Sequence, residues 1–235
     1  GPGEFRGGMG AIREYKTPSD GIYSILSDHT RIPPAGLFSG YPGAHGLWEI
    51  FREGESKPIS PPFGGKVSGM AIRAGDVVRI STPGGGGFGD PILRDPKRVK
   101  EDVIDGKVSL DQAKSIYGVV LLNDTLDIDL PATKKARVQI DNDRIYLMAH
   151  KGGEPVIEYG MRVAWVNPDL ANKGVEDGDM AEAFTVNHPP AIRMMVRFCE
   201  KTPEGCLVVD NESWGILELT EGERLMWRPL KRFHN

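Results

Sequence analysis

The chain has 235 residues, of which 30 are glycine and 18 are proline. Average usage gives this pair roughly 12% of a chain, so the excess excludes coiled coils, helical bundles and other architectures of long helices. The formal net charge of -4 argues against nucleic acid as a partner. No apolar run reaches the roughly 20 residues that a membrane-spanning helix needs, so no membrane contact is predicted.

Residues 1–90 predict short strands separated by glycine turns. Residues 12–15 alternate apolar and polar side chains, and residues 21–26 and 48–54 are further strand candidates. Residues 73–80 read Arg-Ala-Gly-Asp-Val-Val-Arg-Ile, which predicts a glycine turn that leads into a strand rich in β-branched residues.

Three short helices are predicted after this region. Asp95 is a good N-cap for the first helix, and Gly106 ends it. Ser109 and Gln112 have the spacing of a capping box for the second helix. Pro131 begins the third helix, because proline is tolerated in the first turn.

After about residue 140 the pattern changes to several short strands separated by turns, the last of them predicted over residues 206–209 and 215–219. This spacing is typical of a small barrel or sandwich. We therefore predict an α+β, mostly β fold. A glycine-rich β domain with a short helical segment occupies residues 1–140, and a small β-barrel or sandwich-like domain occupies residues 141–235.

Two histidines are candidate catalytic residues. His29 lies in a polar loop, and His45 follows a Pro-Gly-Ala turn that could present it to a cleft. Such histidines can act as acids or bases near neutral pH, although an ordinary surface histidine is the alternative for both. The two cysteines lack the spacing of a metal or redox site. They are predicted to be free thiols, because a chain of this size needs no disulfide, and a disulfide across a hairpin is the alternative. The remaining histidines have no partners at metal-ligand spacing, so no metal ligand is predicted: His150, His188 and His234.

Five segments resemble the hydantoinase B/oxoprolinase family, and their order and spacing agree with it over residues 1–138. The segments are residues 1–10 (GPGEFRGGMG), 34–43 (PAGLFSGYPG), 72–90 (IRAGDVVRISTPGGGGFGD), 94–96 with the helix that follows, and 117–120 (YGVV). The first segment is similar to a motif near the C-terminal third of family members. The resemblance therefore implies the C-terminal part of a B-type subunit.

The family includes the B-type subunits of ATP-dependent N-methylhydantoinase and 5-oxoprolinase, and a related subunit of acetone and acetophenone carboxylases. The resemblance implies a cytoplasmic multi-chain enzyme in which this chain meets the rest of the B-type subunit and an A-type subunit. ATP and Mg are expected on that A-type partner. A divalent metal is expected in an N-terminal part that this sequence does not contain, so no metal ligand is carried over.

The resemblance leaves three functions open. The long stretch after residue 120 favours an ATP-dependent ketone carboxylase that carboxylates a phosphorylated enol, which is the leading hypothesis. The sequence of the glycine cluster more closely resembles that of the ATP-dependent cyclic amide hydrolases. A non-catalytic assembly subunit is the third possibility.

The densest glycine cluster is the predicted substrate- or phosphate-binding site. Its amides could line the pocket of a phosphorylated intermediate, or the loop could pack tightly against a partner chain. It is not a P-loop, because no Gly-Lys-Ser/Thr follows. Together with residues 1–10 and 36–46, this cluster is predicted to form loops that converge on one another or on a partner. The residues of the predicted site are Gly84, Gly85, Gly86, Gly87, Gly89 and Asp90.

Overall fold

The structure is a computed structural model that describes residues 1–62, 64–185 and 191–230. The chain divides into two compact units. Unit 1 comprises Gly1–Gly36, Gly40–Tyr117 and Leu121–Ile128, and unit 2 comprises Leu37–Ser39, Gly118–Val120 and Asp129–Asn235. The predicted fold class, α+β and mostly β, is confirmed. The predicted boundary near residue 140 between a family domain and a second domain stays a prediction.

Unit 1 contains two small antiparallel sheets. Three strands form the first sheet in the order β1, β5, β3, and two strands form the second, β2 with β4. The strands are β1 (Ile12–Lys16), β2 (Gly21–Leu26), β3 (Leu47–Phe51), β4 (Lys66–Ile72) and β5 (Val77–Ser81). Only Ile50 and Val78 of these strands are buried apolar side chains, and every residue of β1 is exposed. The sheets of unit 1 therefore carry little core of their own.

The helical part of unit 1 forms as the capping signals predict. A 3-10 helix covers Pro91–Leu93, α1 covers Pro96–Ile104 and α2 covers Leu110–Ser115. The Asp95 carboxylate accepts a hydrogen bond from the Lys97 amide and caps α1. Ser109 and Gln112 form the predicted capping box on α2, so this prediction is confirmed.

Unit 2 combines helix α3 with a closed barrel. Its elements are α3 (Leu130–Asn142), β6 (Ile145–Lys151), β7 (Ile157–Glu158), β8 (Met161–Val166), a 3-10 helix (Pro168–Lys173), β9 (Met180–Phe184), β10 (Ile192–Phe198), β11 (Cys206–Val209), α4 (Asn211–Ile216) and β12 (Arg224–Pro229). Six strands follow one another in the order β10, β9, β12, β6, β11, β8. The parallel pairing of β8 with β10 closes the circle, so the structure selects the barrel from the two predicted architectures.

The barrel interior is the main hydrophobic core of unit 2. Leu207, Leu225 and Met194 are fully buried there, and the Trp227 side chain is 2% exposed. Because the six strands close into a barrel, they leave no open sheet edge. The short strand β7 pairs with β8 in addition to this circle. Among the described residues, no helix combines the length and the apolar character needed to cross a membrane.

One predicted strand is wrong. Residues 211–216 form α4 where a strand was predicted over residues 215–219, and the final barrel strand is β12. The Asp210 carboxylate accepts hydrogen bonds from the amide of Ser213 at 2.8 Å and from its hydroxyl at 2.6 Å. This N-cap starts a helix, and it outweighs the apolar residues that suggested a strand.

Candidate functional site

The three glycine-rich segments converge, as predicted, through backbone hydrogen bonds within unit 1. Residues 1–10 contact both residues 40–46 and the cluster at residues 84–89. The bonds run from the amide of Gly84 to the oxygen of Ala44 at 3.2 Å, from Gly85 to Gly8 at 3.0 Å, from Gly87 to Tyr41 at 2.9 Å and from Tyr41 to Pro2 at 2.8 Å. The segments therefore form one layer, which we call the glycine layer.

The amides of the predicted phosphate loop have partners inside this layer. Gly84, Gly85 and Gly87 each donate to a carbonyl oxygen of a neighbouring segment. An amide that is already hydrogen-bonded to a carbonyl is not available to an anion without losing that bond. These three amides hold the layer together, and the binding role assigned to the glycines stays a prediction.

Close backbone contact explains why glycine occupies these positions. A Cβ atom at Gly86 would lie 1.8 Å from the oxygen of Ala35, and a Cβ atom at Gly43 would lie 2.0 Å from the oxygen of Gly84. Real Cβ atoms do not approach backbone oxygens so closely. Any side chain at these positions would therefore push the segments apart.

The end of the predicted loop is also structural. Gly89 has a φ of +76°, and its carbonyl oxygen accepts a hydrogen bond from the Glu4 amide at 3.2 Å. The Asp90 carboxylate accepts a hydrogen bond from the Ile92 amide at 3.1 Å and caps the 3-10 helix. Asp90 thus has a local role in the turn that leaves the glycine layer, and its predicted binding role stays a prediction.

The backbone segments that carry the two candidate histidines are hydrogen-bonded to each other. The carbonyl oxygen of His29 accepts a hydrogen bond from the amide of Gly46 at 3.0 Å, next to His45. His29 is exposed, and its Nδ1 atom lies 3.0 Å from the carbonyl oxygen of Ile32. His45 is half-buried. Their acid–base roles stay predictions.

A buried charge cluster, formed by Arg6, Arg94 and Asp102, was not predicted from the sequence. The Nε atom of Arg6 lies 3.2 Å from Asp102 Oδ1, and Arg94 Nη2 lies 2.9 Å from Asp102 Oδ2. Arg94 and Asp102 are only 8% and 5% exposed. One carboxylate therefore serves two guanidinium groups, and the cluster carries a net positive charge.

The cluster fastens the first glycine segment to α1. Arg94 Nη1 donates a hydrogen bond to the carbonyl oxygen of Glu4 at 2.8 Å. Burial raises the pKa of the Tyr117 hydroxyl beside the cluster, with the Arg94 guanidinium acting in the opposite direction, so this phenol stays protonated at neutral pH. The sequence does contain one signal for the cluster, since Asp102 lies three residues after the buried Val99 on α1.

No metal site is built from the residues that the structure describes, because no three of their His, Cys, Asp and Glu side chains are grouped suitably. Cys199 and Cys206 are free, which confirms the prediction of two thiols. His188 and His234 lie outside the described residues.

A family model described as hydantoinase B/oxoprolinase matches residues 1–91 of this chain. The predicted resemblance of the N-terminal part of this chain to the hydantoinase B/oxoprolinase family is confirmed. The matched residues include the whole glycine layer and Arg6, so the layer lies within the matched segment.

Three relatives illustrate the range of the family. An uncharacterized protein of Methanocaldococcus jannaschii is 40% identical over 139 residues, covering 58% of this chain and 24% of the relative. The B-type chain of a putative D-/L-hydantoinase of Pseudomonas sp. is 32% identical, covering 58% and 22%. The acetone carboxylase alpha subunit of Xanthobacter autotrophicus is 28% identical, covering 62% and 23%. The chain thus spans about a quarter of the length of these three relatives.

Proposed function

We propose that this chain is part of a B-type subunit of an ATP-dependent enzyme complex that opens a cyclic amide, such as a hydantoin or oxoproline, with water. The observation that carries the proposal is the family match over residues 1–91. Within the family, the identity of 32% to the putative hydantoinase chain favours amide hydrolysis over the carboxylation suggested by the relative at 28%.

Among the described residues, neither the glycine layer nor a side-chain cluster offers a site that fits ATP and Mg²⁺. The amides of Gly84, Gly85 and Gly87 are hydrogen-bonded within the glycine layer, and no metal-binding group occurs among the described side chains. We therefore assign the nucleotide and its metal to an A-type partner. In this proposal the chain contributes the glycine layer and the charge cluster to the complex.

Exposed apolar side chains in unit 1 support the proposed partners. Ile22 and Leu26 on β2 are 76% and 85% exposed, and Ile12 on β1 is 71% exposed. Side chains of this size are normally covered when they cluster on small sheets. We assign these exposed side chains of the two sheets to contact with the rest of the B-type subunit, which would complete the core that the sheets of unit 1 lack.

Ketone carboxylation is the second candidate. It is favoured by the acetone carboxylase alignment, which runs over 180 residues and covers 62% of this chain. A purely assembling role is the third, and it would use the same exposed surface of unit 1.

Substrate-dependent ATP hydrolysis tests the proposal. The complex purified through this chain is incubated with ATP and hydantoin, 5-oxoproline, acetone or acetophenone, each with and without bicarbonate. We expect ATP hydrolysis that depends on a cyclic amide and not on bicarbonate. Hydrolysis that requires both a ketone and bicarbonate would favour the carboxylase, and a full complex that responds to none of these substrates would overturn the enzymatic proposal.

A further inference from the structure

A cavity of about 270 Å³ lies within unit 1, beside the buried charge cluster. The first and second glycine segments form one side of it, and the region around α2 forms the other. None of the lining residues is Asp or Glu, whereas two of them are cationic. The polar side chains in the lining are Arg6, Lys107, Gln112 and Tyr117, and the backbone of Gly7 and Gly43 lies in the same wall.

Arg6 has hydrogen-bond donors in excess of its partners. Its Nε atom is bound to Asp102, and its Nη1 atom donates to the carbonyl oxygen of Gly7 at 2.8 Å. Its Nη2 atom donates to none of the residues in the described part of the chain. Gln112 accepts the Ser109 amide at 3.2 Å through Oε1, which leaves its Nε2 group as a second donor at the cavity wall.

The charge around the cavity is positive although the whole chain is acidic. Asp102 balances only one of the two guanidinium groups of the cluster, and the chain as a whole carries a net charge of -4. Lys107 adds a cation at the rim, where its Nζ atom lies 2.7 Å from Asp105 in an exposed and therefore solvent-screened pair. Tyr117 contributes a neutral phenol.

We propose that this cavity binds a small oxyanion, the phosphate or carboxylate group of a low-molecular-weight ligand, with Arg6 as its principal partner. A guanidinium group with free N–H groups matches the oxygens of phosphate and carboxylate better than any other side chain does. The volume lies just below the range of roughly 300–1,000 Å³ that is usual for drug-sized ligands, which favours a small one. Asp102 and Arg94 are positioning residues, because they hold Arg6 and the glycine layer in place.

Direct titration tests this site without ATP or a partner, so its outcome is independent of the proposed function. Inorganic phosphate and acetate are titrated separately into the 235-residue chain at constant ionic strength, with calorimetric detection. We expect saturable binding of at least one of them. Tighter binding of phosphate identifies a phosphate-bearing ligand, and tighter binding of acetate identifies a carboxylate.

Matched variants locate the binding. Arg6→Gln should weaken it by at least about tenfold, the effect of losing a hydrogen bond to a charged group. Lys107→Gln should weaken it by about two- to threefold, as expected for an exposed charge. Lys100→Gln is the matched control, because Lys100 is paired with Asp127 at 2.9 Å and does not line the cavity. It should leave the affinity unchanged.

Amide chemical shifts give a readout that depends on position. On addition of phosphate or acetate, the amides of Gly7 and Gly43 should shift with the same dissociation constant that calorimetry gives. The absence of saturable binding for both anions would overturn the proposal. Equal weakening of anion binding by Lys107→Gln and Lys100→Gln would also overturn it, because the anions would then be attracted by the overall surface charge. This comparison remains decisive even if Arg6→Gln fails to fold.

Discussion

Gly86 and Gly87 show how a residue can be required to be glycine without a positive φ angle. A Cβ atom on Gly87 would lie 1.9 Å from the oxygen of Pro2, and one on Gly86 would lie 1.8 Å from the oxygen of Ala35. Gly8 lies in the same layer, yet a Cβ atom there would meet nothing within 4 Å. The requirement therefore comes from close packing of backbones and differs from one glycine to the next.

Gly86→Ala should accordingly destabilise the chain, and Gly8→Ala should not. Forcing a methyl group into a packed site costs about 1–3 kcal/mol, which corresponds to several degrees in the midpoint of thermal unfolding. Gly8→Ala should stay within about 0.5 kcal/mol of the parent. Differential scanning calorimetry measures both variants, and equal midpoints would contradict the backbone-packing explanation.

Asp76 links the stability of unit 1 to pH. Its buried carboxylate accepts hydrogen bonds from Arg52 Nε at 3.0 Å and Nη2 at 2.7 Å, and from the Arg73 amide at 2.8 Å. The side-chain hydrogen bond from Arg52 holds the pKa of Asp76 below its ordinary value. A lowered carboxyl pKa stabilises the fold above the unfolded pKa, and the contribution is lost as the pH falls through the folded pKa.

Asp76→Asn should therefore lower the thermal midpoint at pH 7 by at least about 2 °C, and the difference from the parent should shrink below about pH 4. Glu14→Gln is the control, because Glu14 is 49% exposed in its pair with Arg79 and should have little effect at either pH. Thermal unfolding is followed by circular dichroism across this pH range. A difference that is constant down to about pH 3 would contradict the assignment.

At the scale of elements, features that depend on local sequence were easier to predict than long-range contacts. The caps of α1 and α2 agree with the sequence, because capping residues act within a few positions. The glycine segments also converge as predicted, although their hydrogen bonds join residues as far apart as Gly8 and Gly85. The charge cluster was missed because Arg6 and Asp102 are 96 residues apart. The choice of a barrel over a sandwich depended on the parallel pair of β8 and β10, which no local pattern specifies.

The α4 cap links the start of a helix to the barrel strand β8. Asp210 is 5% exposed, caps α4 and pairs with Arg162 at 3.0 Å. Asp210→Ala should reduce the free energy of unfolding by about 2 kcal/mol or more, because a cap and a buried pair are lost together. Ser109→Ala, which removes an exposed cap, should cost only about 1 kcal/mol. Denaturant unfolding measures both, and equal losses would contradict the dual role of Asp210.

At the scale of the whole molecule, the sheets of unit 1, which expose large apolar side chains, carry the proposed contact with the rest of the B-type subunit. Leu26→Lys should cause a loss of about tenfold or more in capture of the rest of the B-type subunit, since a charge would then lie in an apolar contact. Tyr159→Lys is the control, because Tyr159 is 90% exposed on unit 2, outside the sheets of unit 1. Co-purification of the coexpressed chains gives the measurement. Undiminished capture by Leu26→Lys would show that this surface is not the docking site.

The most direct test of the proposed function is the mass of the product formed by the complex in the presence of ATP, ¹³C-bicarbonate and H₂¹⁸O. A cyclic amide and a ketone are supplied together. We expect a ring-opened product that carries ¹⁸O from water and no ¹³C, because hydrolysis adds water across the amide bond. A product whose new carboxyl group contains ¹³C would contradict cyclic amide hydrolysis and assign the complex to ketone carboxylation.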